Sequence, residues 1–372
     1  MVALLKDIIA LMETIAPARL AETWDNAGLQ VGEGNWPVKN IWIALDPAFD
    51  VVTQACKKGA DLLITHHPLI FSPLRSIDTE TPTGKIIEMA LQHQLAIFAA
   101  HTNLDSAADG LNEKLAVRIG LKKLKVLHKR TRDDVVKLVF FVPSNDEQKV
   151  LSALFETPAG RIGEYTGCSF RVQGKGTFKP GPSTKPFIGK RGEISHVKEI
   201  RIESVLQKDD IPAVLEHIKA FHPYETMAYD IYPLHMNEIN QGLGRIGELE
   251  KDMKLFVLAE KIKQLLQIKS VRVVGRADYN VKRVAVSTGS GSGLIDNFLL
   301  SGADVFISGD LSYHNARAVE AAGLALVDIG HFASERIAID VLAEQLREIL
   351  NKHRLEVKIH KSKIEKDPFV IF

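Results

Sequence analysis

The sequence predicts an α/β protein: a discontinuous core with a mainly parallel sheet flanked by helices, plus an inserted ferredoxin-like α+β domain. Three observations lead there. Short apolar runs alternate with amphipathic stretches through the first third of the chain, the same rhythm returns in the last third, and the middle third breaks it. At 372 residues the chain is also long for one hydrophobic core, so two domains are the expectation.

The N-terminal "MVALLKDIIALMETIA" has helical spacing, and Lys6, Asp7 and Glu13 interrupt it too often for a signal peptide. "VKNIWIALD" is a strand that stops at Asp46 and Pro47, and "FDVVTQACKKGA" is a helix. The strand "DLLITHHP" closes on His66, His67 and Pro68 and is followed by the helix "TGKIIEMALQHQ". The strand "LAIFAAHTNLD" and the helix "GLNEKLAVRIG" end this part, at about residue 128. Strands separated by helices imply right-handed crossovers and parallel pairing.

Residues 129–240 read differently: strand "DVVKLVFFVP", helix "DEQKVLSALFE", an irregular "GKGTFKPGPSTKPFIGKRG", strand "VKEIRIESVL", helix "DIPAVLEHIKAF" and strand "AYDIYPL". Strand–helix–strand–strand–helix–strand is the ferredoxin-like order. Residues 241–372 resume the α/β rhythm. "VKRVAVSTG", "DVFISGD" and "LALVDIGH" are strands, "GLIDNFLLSGA" and "HNARAVEAAG" helices, and "ASERIAIDVLAEQLREILNK" one long helix before a last strand, "LEVKIHKSK". "GRIGEY" at Gly160 and "GRIGEL" at Gly244 are too short to make a repeat.

With 47 basic and 46 acidic side chains, no net field favours nucleic acid or an anionic membrane. Two cysteines, Cys56 and Cys168, fit a reducing compartment and make no disulfide framework. No apolar run approaches the ~20 residues that span a bilayer. The expectation is a cytoplasmic protein.

In open parallel sheets, ligand sites gather at the carboxyl ends of strands. The polar side chains there are His66 and His67, then His101, Asn103 and Asp105, then His331 with Glu335 four residues on. Residues four apart on a helix share a face, so His331 and Glu335 can converge. Neighbours on a strand point apart, so His66 and His67 converge on one ion only if Pro68 already bends the chain, and serve two adjacent ions more naturally. Nitrogen and oxygen donors of this kind suit zinc, manganese or iron. His93, His128, His196, His217, His235, His353 and His360 are read as surface or satisfied core residues; His314, after "SGDLSY", stands closer to a strand end. "STGSGSG" is a tight turn before it is a phosphate cradle, since it lacks a P-loop lysine. "TWDNAGLQVG" is either turn chemistry or a loop folded over the site. Cys56, mid-helix, should be inert.

At these residues the chain resembles a known family. "TWDNAGLQVG", "LLITHHPLIF", "AAHTNLDSAADGLN", "SGD" and "DIGHFASE" are similar to the signature blocks of the GTP cyclohydrolase I type 2 family, also described as dinuclear metal centre proteins. The middle segment, with "FHPYETMAYDIYPL", resembles the insert of the longer bacterial members, itself similar to CutA and PII-type trimeric domains. The resemblance implies two divalent metal ions per chain, zinc first and iron or manganese next, held by His66, His67, Asp105, His331 and Glu335. It implies a hydrolase that opens the guanine ring of GTP, and a toroidal homohexamer with its metal sites facing an internal cavity. His101, four residues before Asp105, is then the candidate for proton transfer. The rival reading is a non-catalytic metal-binding or regulatory protein that senses a ligand through the inserted domain. A third is a scaffold whose ions only hold the two sequence halves together.

Overall fold

The structure, a computed structural model, describes residues 3–129, 135–163, 165–234 and 241–370; His235 and the expected insert boundary at Asn240 lie outside them. The chain divides into two compact units, Met1–Arg130 with Asn240–Phe372, and Thr131–Ile239.

The first unit is mixed α/β and holds two large sheets, where the sequence points to one that is mainly parallel, besides a two-stranded antiparallel ribbon of Ala3–Leu4 and Pro37–Val38. In the five-stranded sheet, Lys358–Lys361, Asn40–Ala44, Leu62–Thr65 and Ala96–Ala99 run parallel, and Gly28–Val31 closes one edge antiparallel. The six-stranded sheet has the order Arg272–Val274, Ala325–Asp328, Val305–Gly309, Asn280–Ser290, Gly242–Lys254, Lys122–Lys129, and only the pairings among Asn280–Ser290, Val305–Gly309 and Ala325–Asp328 are parallel. The reason is local. The chain leaves the unit along Lys122–Lys129 and returns along Gly242–Lys254, and strands that meet by turning back pair antiparallel, without a helical crossover.

Period-two alternation sorts each strand between layers. Ile41, Ile43, Leu62 and Ile64 share one core with Val284, Val286, Val305, Ile307 and Val327 of the other sheet. Trp42, Ala44 and Leu63 face outward onto the helices Phe49–Lys57 and Pro82–Gln92. Ala285, Phe306 and Leu326 do the same on the outer side of the second sheet. The expected long C-terminal helix is two, His331–Glu335 and Ala338–Lys352. No helix among the described residues is long and apolar enough to cross a membrane.

The second unit is one antiparallel sheet in the order Tyr229–Pro233, Val135–Pro143, Ser195–Gln207, Ser169–Phe178. The strand Ser169–Phe178 runs through Gly174–Phe178, which the sequence reads as irregular. Helices Glu147–Phe155 and Ile211–Phe221 cover one face, packing Val150, Leu154, Val214 and Ile218 on Leu138, Phe140, Ile200 and Ile202.

Candidate metal centre

Side chains from both sheets of the first unit meet at the carboxyl ends of parallel strands. Leu62–Thr65 ends on His66 and His67, and the backbone amides of both donate to the Leu45 carbonyl at 3.1 and 3.0 Å. That shared acceptor bends the chain, so the doublet no longer alternates like a strand. Ala96–Ala99 leads through His101 into Thr102–Ser106, which carries Asp105. Ala325–Asp328 turns at Gly330, whose φ of +79° suits glycine, into the short helix His331–Glu335.

Ligand atoms gather in overlapping sets, His67–His331–Glu335, His66–Asp105–Glu335 and His66–His67–His101, each within 4.8 Å internally. Glu335, 3% exposed, belongs to two of them. Its Oε1 lies 3.5 Å from His66 Nε2, and its Oε2 lies 3.0 Å from His67 Nε2 and 2.8 Å from His331 Nε2. Asp105 Oδ2 is 3.9 Å from His66 Nε2, and the His67 and His331 Nε2 atoms are 3.4 Å apart. Most of these separations match the edges of a ligand shell, which for bonds of about 2.1 Å run from about 3.0 Å in an octahedron to about 3.4 Å in a tetrahedron.

Every imidazole is oriented from behind. Nδ1 of His66 meets the Ala100 carbonyl at 2.8 Å, that of His67 meets Asp46 at 2.7 Å, that of His331 meets Asp310 at 2.7 Å and that of His101 meets Asp25 at 2.8 Å. These acceptors assign the Nδ1 proton and turn each Nε2 inward. His66 Nε2 and Glu335 Oε2 are buried with no well-directed hydrogen bond. Lone pairs packed so closely need positive charge between them. In the metal-free chain, protons supply it. Burial disfavours charge on His67, but its hydrogen bonds to Asp46 and Glu335 outweigh this and push its pKa up to about 10. The bond to Glu335 drives His331 up to about 9 against the effect of burial. His66 is likewise opposed by burial and raised by the charges of Asp105 and Glu335. Burial pushes Asp105 up. It opposes the Glu335 charge too, yet the surrounding histidines, His66 first, hold that carboxyl well below its usual range. A divalent cation bound by nitrogen and oxygen satisfies the same atoms, so the residues fit a metal.

A family model described as Duf34/NIF3 (NGG1p interacting factor 3) matches residues 3–368. The chain belongs to the Duf34/NIF3 family. Curated relatives named GTP cyclohydrolase 1 type 2 homolog are 41% identical in Bacillus subtilis, over 98% of this chain and 97% of the relative, and 39% identical in Halalkalibacterium halodurans, over 97% of each. Among solved structures, a Bacillus cereus protein related to NIF3 covers all of both chains at 39% identity with a TM-score of 0.71. A Staphylococcus aureus protein covers 100% of this chain and 99% of its own at 30% identity, with a TM-score of 0.76.

In this Duf34/NIF3 member the loop "TWDNAGLQVG" does lie against the site. Asp25 holds His101 and accepts from the Thr102 amide at 3.1 Å, and hydrogen bonds from His101 and Thr102 keep its pKa low despite burial, which opposes them. Trp24 stands edge-on to His101, ring centroids 6.0 Å apart, and 5.9 Å from Phe71; both Trp24 and Phe71 are exposed. "STGSGSG" ends its strand as a wall of the site. Thr288 donates to Asp105 Oδ1 at 3.0 Å, and its amide donates to Asn112 at 2.7 Å. The Gly289 amide donates to Ser334 at 2.8 Å, and a Cβ on Gly289 would lie 2.1 Å from Glu335 Oε1. Asn103 is elsewhere, tying its loop to the Ala16 carbonyl at 2.7 Å, and His314 is exposed outside the clusters. Burial raises the Cys56 thiol, in keeping with an inert role.

Proposed function

We propose that this Duf34/NIF3 member is a dinuclear-metal-dependent hydrolase of a nucleotide, with hydrolytic opening of the guanine ring of GTP as the reaction to test first. The observation that carries the reading is Glu335, an enclosed carboxylate whose two oxygens face separate imidazoles. His67, His331 and Glu335 would hold one ion, and His66, Asp105 and Glu335 the other; zinc suits these donors, as do iron and manganese. Bound there, the ions supply Lewis-acid polarisation and lower the pKa of water. The chain supplies the rest. Asp25 fixes the His101 tautomer, so His101 Nε2 stands at the edge of the site, free to accept or return a proton. Trp24 and Phe71 offer exposed aromatic faces beside it, suited to a planar base. The names of the curated relatives support guanine as that base.

The test is turnover of GTP by purified chain with zinc, iron or manganese restored, followed as loss of purine absorbance. His101→Gln should lower turnover at least about a hundredfold with metal content unchanged, the scale of a general acid–base contribution. Fully loaded protein without turnover would sink this reading. It would leave a non-catalytic regulator that senses a ligand through residues 131–239, a reading favoured by the cavity described below. The same proposal makes the protein cytoplasmic and a toroidal homohexamer; light scattering that returned a monomer mass would remove the hexamer.

A further inference from the structure

The second unit carries a cavity that the metal centre does not explain. Its volume is about 320 Å³, within the range of small-molecule sites. Phe141, Phe178, Phe187 and Tyr224 line it, with the Phe178 and Phe187 ring centroids 5.9 and 6.4 Å from that of Tyr224. Among the described residues its charged lining is Glu199 and Glu225.

Glu199 is 8% exposed. Its Oε1 accepts from the Tyr224 hydroxyl at 2.9 Å, and no donor or cationic side chain among the described residues reaches Oε2. The cation closest in kind, Arg201, is engaged by Glu203 at 2.9 Å and by the face of Phe141. The strand makes room for this carboxylate with a glycine: a Cβ on Gly176 would lie 1.9 Å from Glu199 Oε2. The "FHPYE" segment, which the metal centre leaves unused, holds the opposite wall. His222 Nε2 donates to the Phe141 carbonyl at 2.9 Å and Nδ1 accepts from the Tyr224 amide at 3.1 Å, and burial keeps this imidazole neutral.

A largely buried carboxylate that opens one oxygen onto an apolar cavity with no cation beside it is a ready partner for a cationic ligand. Aromatic faces attract cations through their quadrupoles. We propose that this cavity binds a small organic cation with N–H donors on a flat apolar body, an aryl amidine or arylalkylamine in class. Its charge would sit on Glu199 Oε2 and its body among Phe178, Phe187 and Tyr224. A neutral base with paired N–H groups would meet the same oxygen but leave the charge uncompensated.

Benzamidine and tyramine serve as probes, titrated calorimetrically into the full-length protein, with guanosine as the neutral arm. Both cations should bind, guanosine more weakly. Glu199→Gln should weaken cation binding about tenfold or more, the scale of a lost charge-assisted hydrogen bond. Phe187→Ala removes an exposed wall residue, so it tests the aromatic contribution even if the buried substitution does not fold; it should weaken binding several-fold. Metal content should be unchanged in both variants. Absence of cation binding, tighter binding of guanosine, or affinity undiminished in a folded Glu199→Gln protein would each overturn the proposal. So would undiminished affinity in Phe187→Ala.

Discussion

Glu335 serves two clusters at once, whereas Asp105 serves one. Removing the charge should therefore act differently at the two positions. If the proposed dinuclear centre forms, Glu335→Gln should empty both metal positions and Asp105→Asn should leave about one ion per chain, by elemental analysis after dialysis; the reverse order would assign the bridging role to Asp105. The imidazoles add a pH dependence. With pKa values of about 10 and about 9, His67 and His331 hold protons at neutral pH in the metal-free chain. A cation must displace them, so apparent metal affinity should rise with pH by up to about tenfold per unit for each proton released. Because both pKa values are raised, the charged pairs stabilise the metal-free fold fully below about pH 6.5, and that contribution fades as pH climbs through 9 to 10. Thermal melts of metal-free protein should show this loss and melts of loaded protein should not. Affinity independent of pH would mean that these nitrogens are not ligands. At this scale the inward-facing histidines were legible, because an imidazole at a strand end breaks an apolar pattern. Asp25, Asp46, Asp310 and Thr288 carried no sign of their partners, since a hydrogen bond between distant loops imposes no period on the sequence.

The element that turns strand Asn280–Ser290 toward the site offers a matched pair of substitutions. Gly289 has a φ of +62° and the Glu335 carboxylate where a Cβ would go; Gly293, in the same motif, has open space. Gly289→Ala should displace Glu335, cost roughly 1–2 kcal/mol in backbone strain and lower metal content with the fold retained. Gly293→Ala should do neither. Melting temperature and metal content measured on both variants decide it, and equal effects would detach Gly289 from the metal centre. The strands and helices of the outer thirds were legible from alternation and amphipathic spacing, as in Ile41, Ile43, Leu62 and Ile64. The division of those strands between two sheets was not, nor was one central strand of the second. "GLGRIGELEKDMK" is rich in glycine and charge and does not read as a strand, yet Gly242–Lys254 pairs on both sides. The helix break at Arg336 and Ile337 was hidden too, since neither proline nor glycine marks it.

At the scale of the molecule, Lys129 and Gly242 face each other across an antiparallel ladder. Two residues so placed can be joined by a short turn. Replacing residues 130–241 with such a turn should leave a soluble protein with unchanged metal content, while binding of small cations at Glu199 disappears. A shortened protein that folds but cannot hold metal would show that the second unit helps build the centre. The split ligand set has a consequence in time. The ribosome delivers His66, His67 and Asp105 first, then 225 further residues before His331 and Glu335, which at 5–20 residues per second is about 11–45 s. Throughout that interval the nascent chain would display three of the five proposed ligands, able to meet an ion but not to enclose it. On the proposed dinuclear reading, loading would follow translation, so the ion in the centre would reflect which metal the finished chain encounters, not which one the emerging chain touched first.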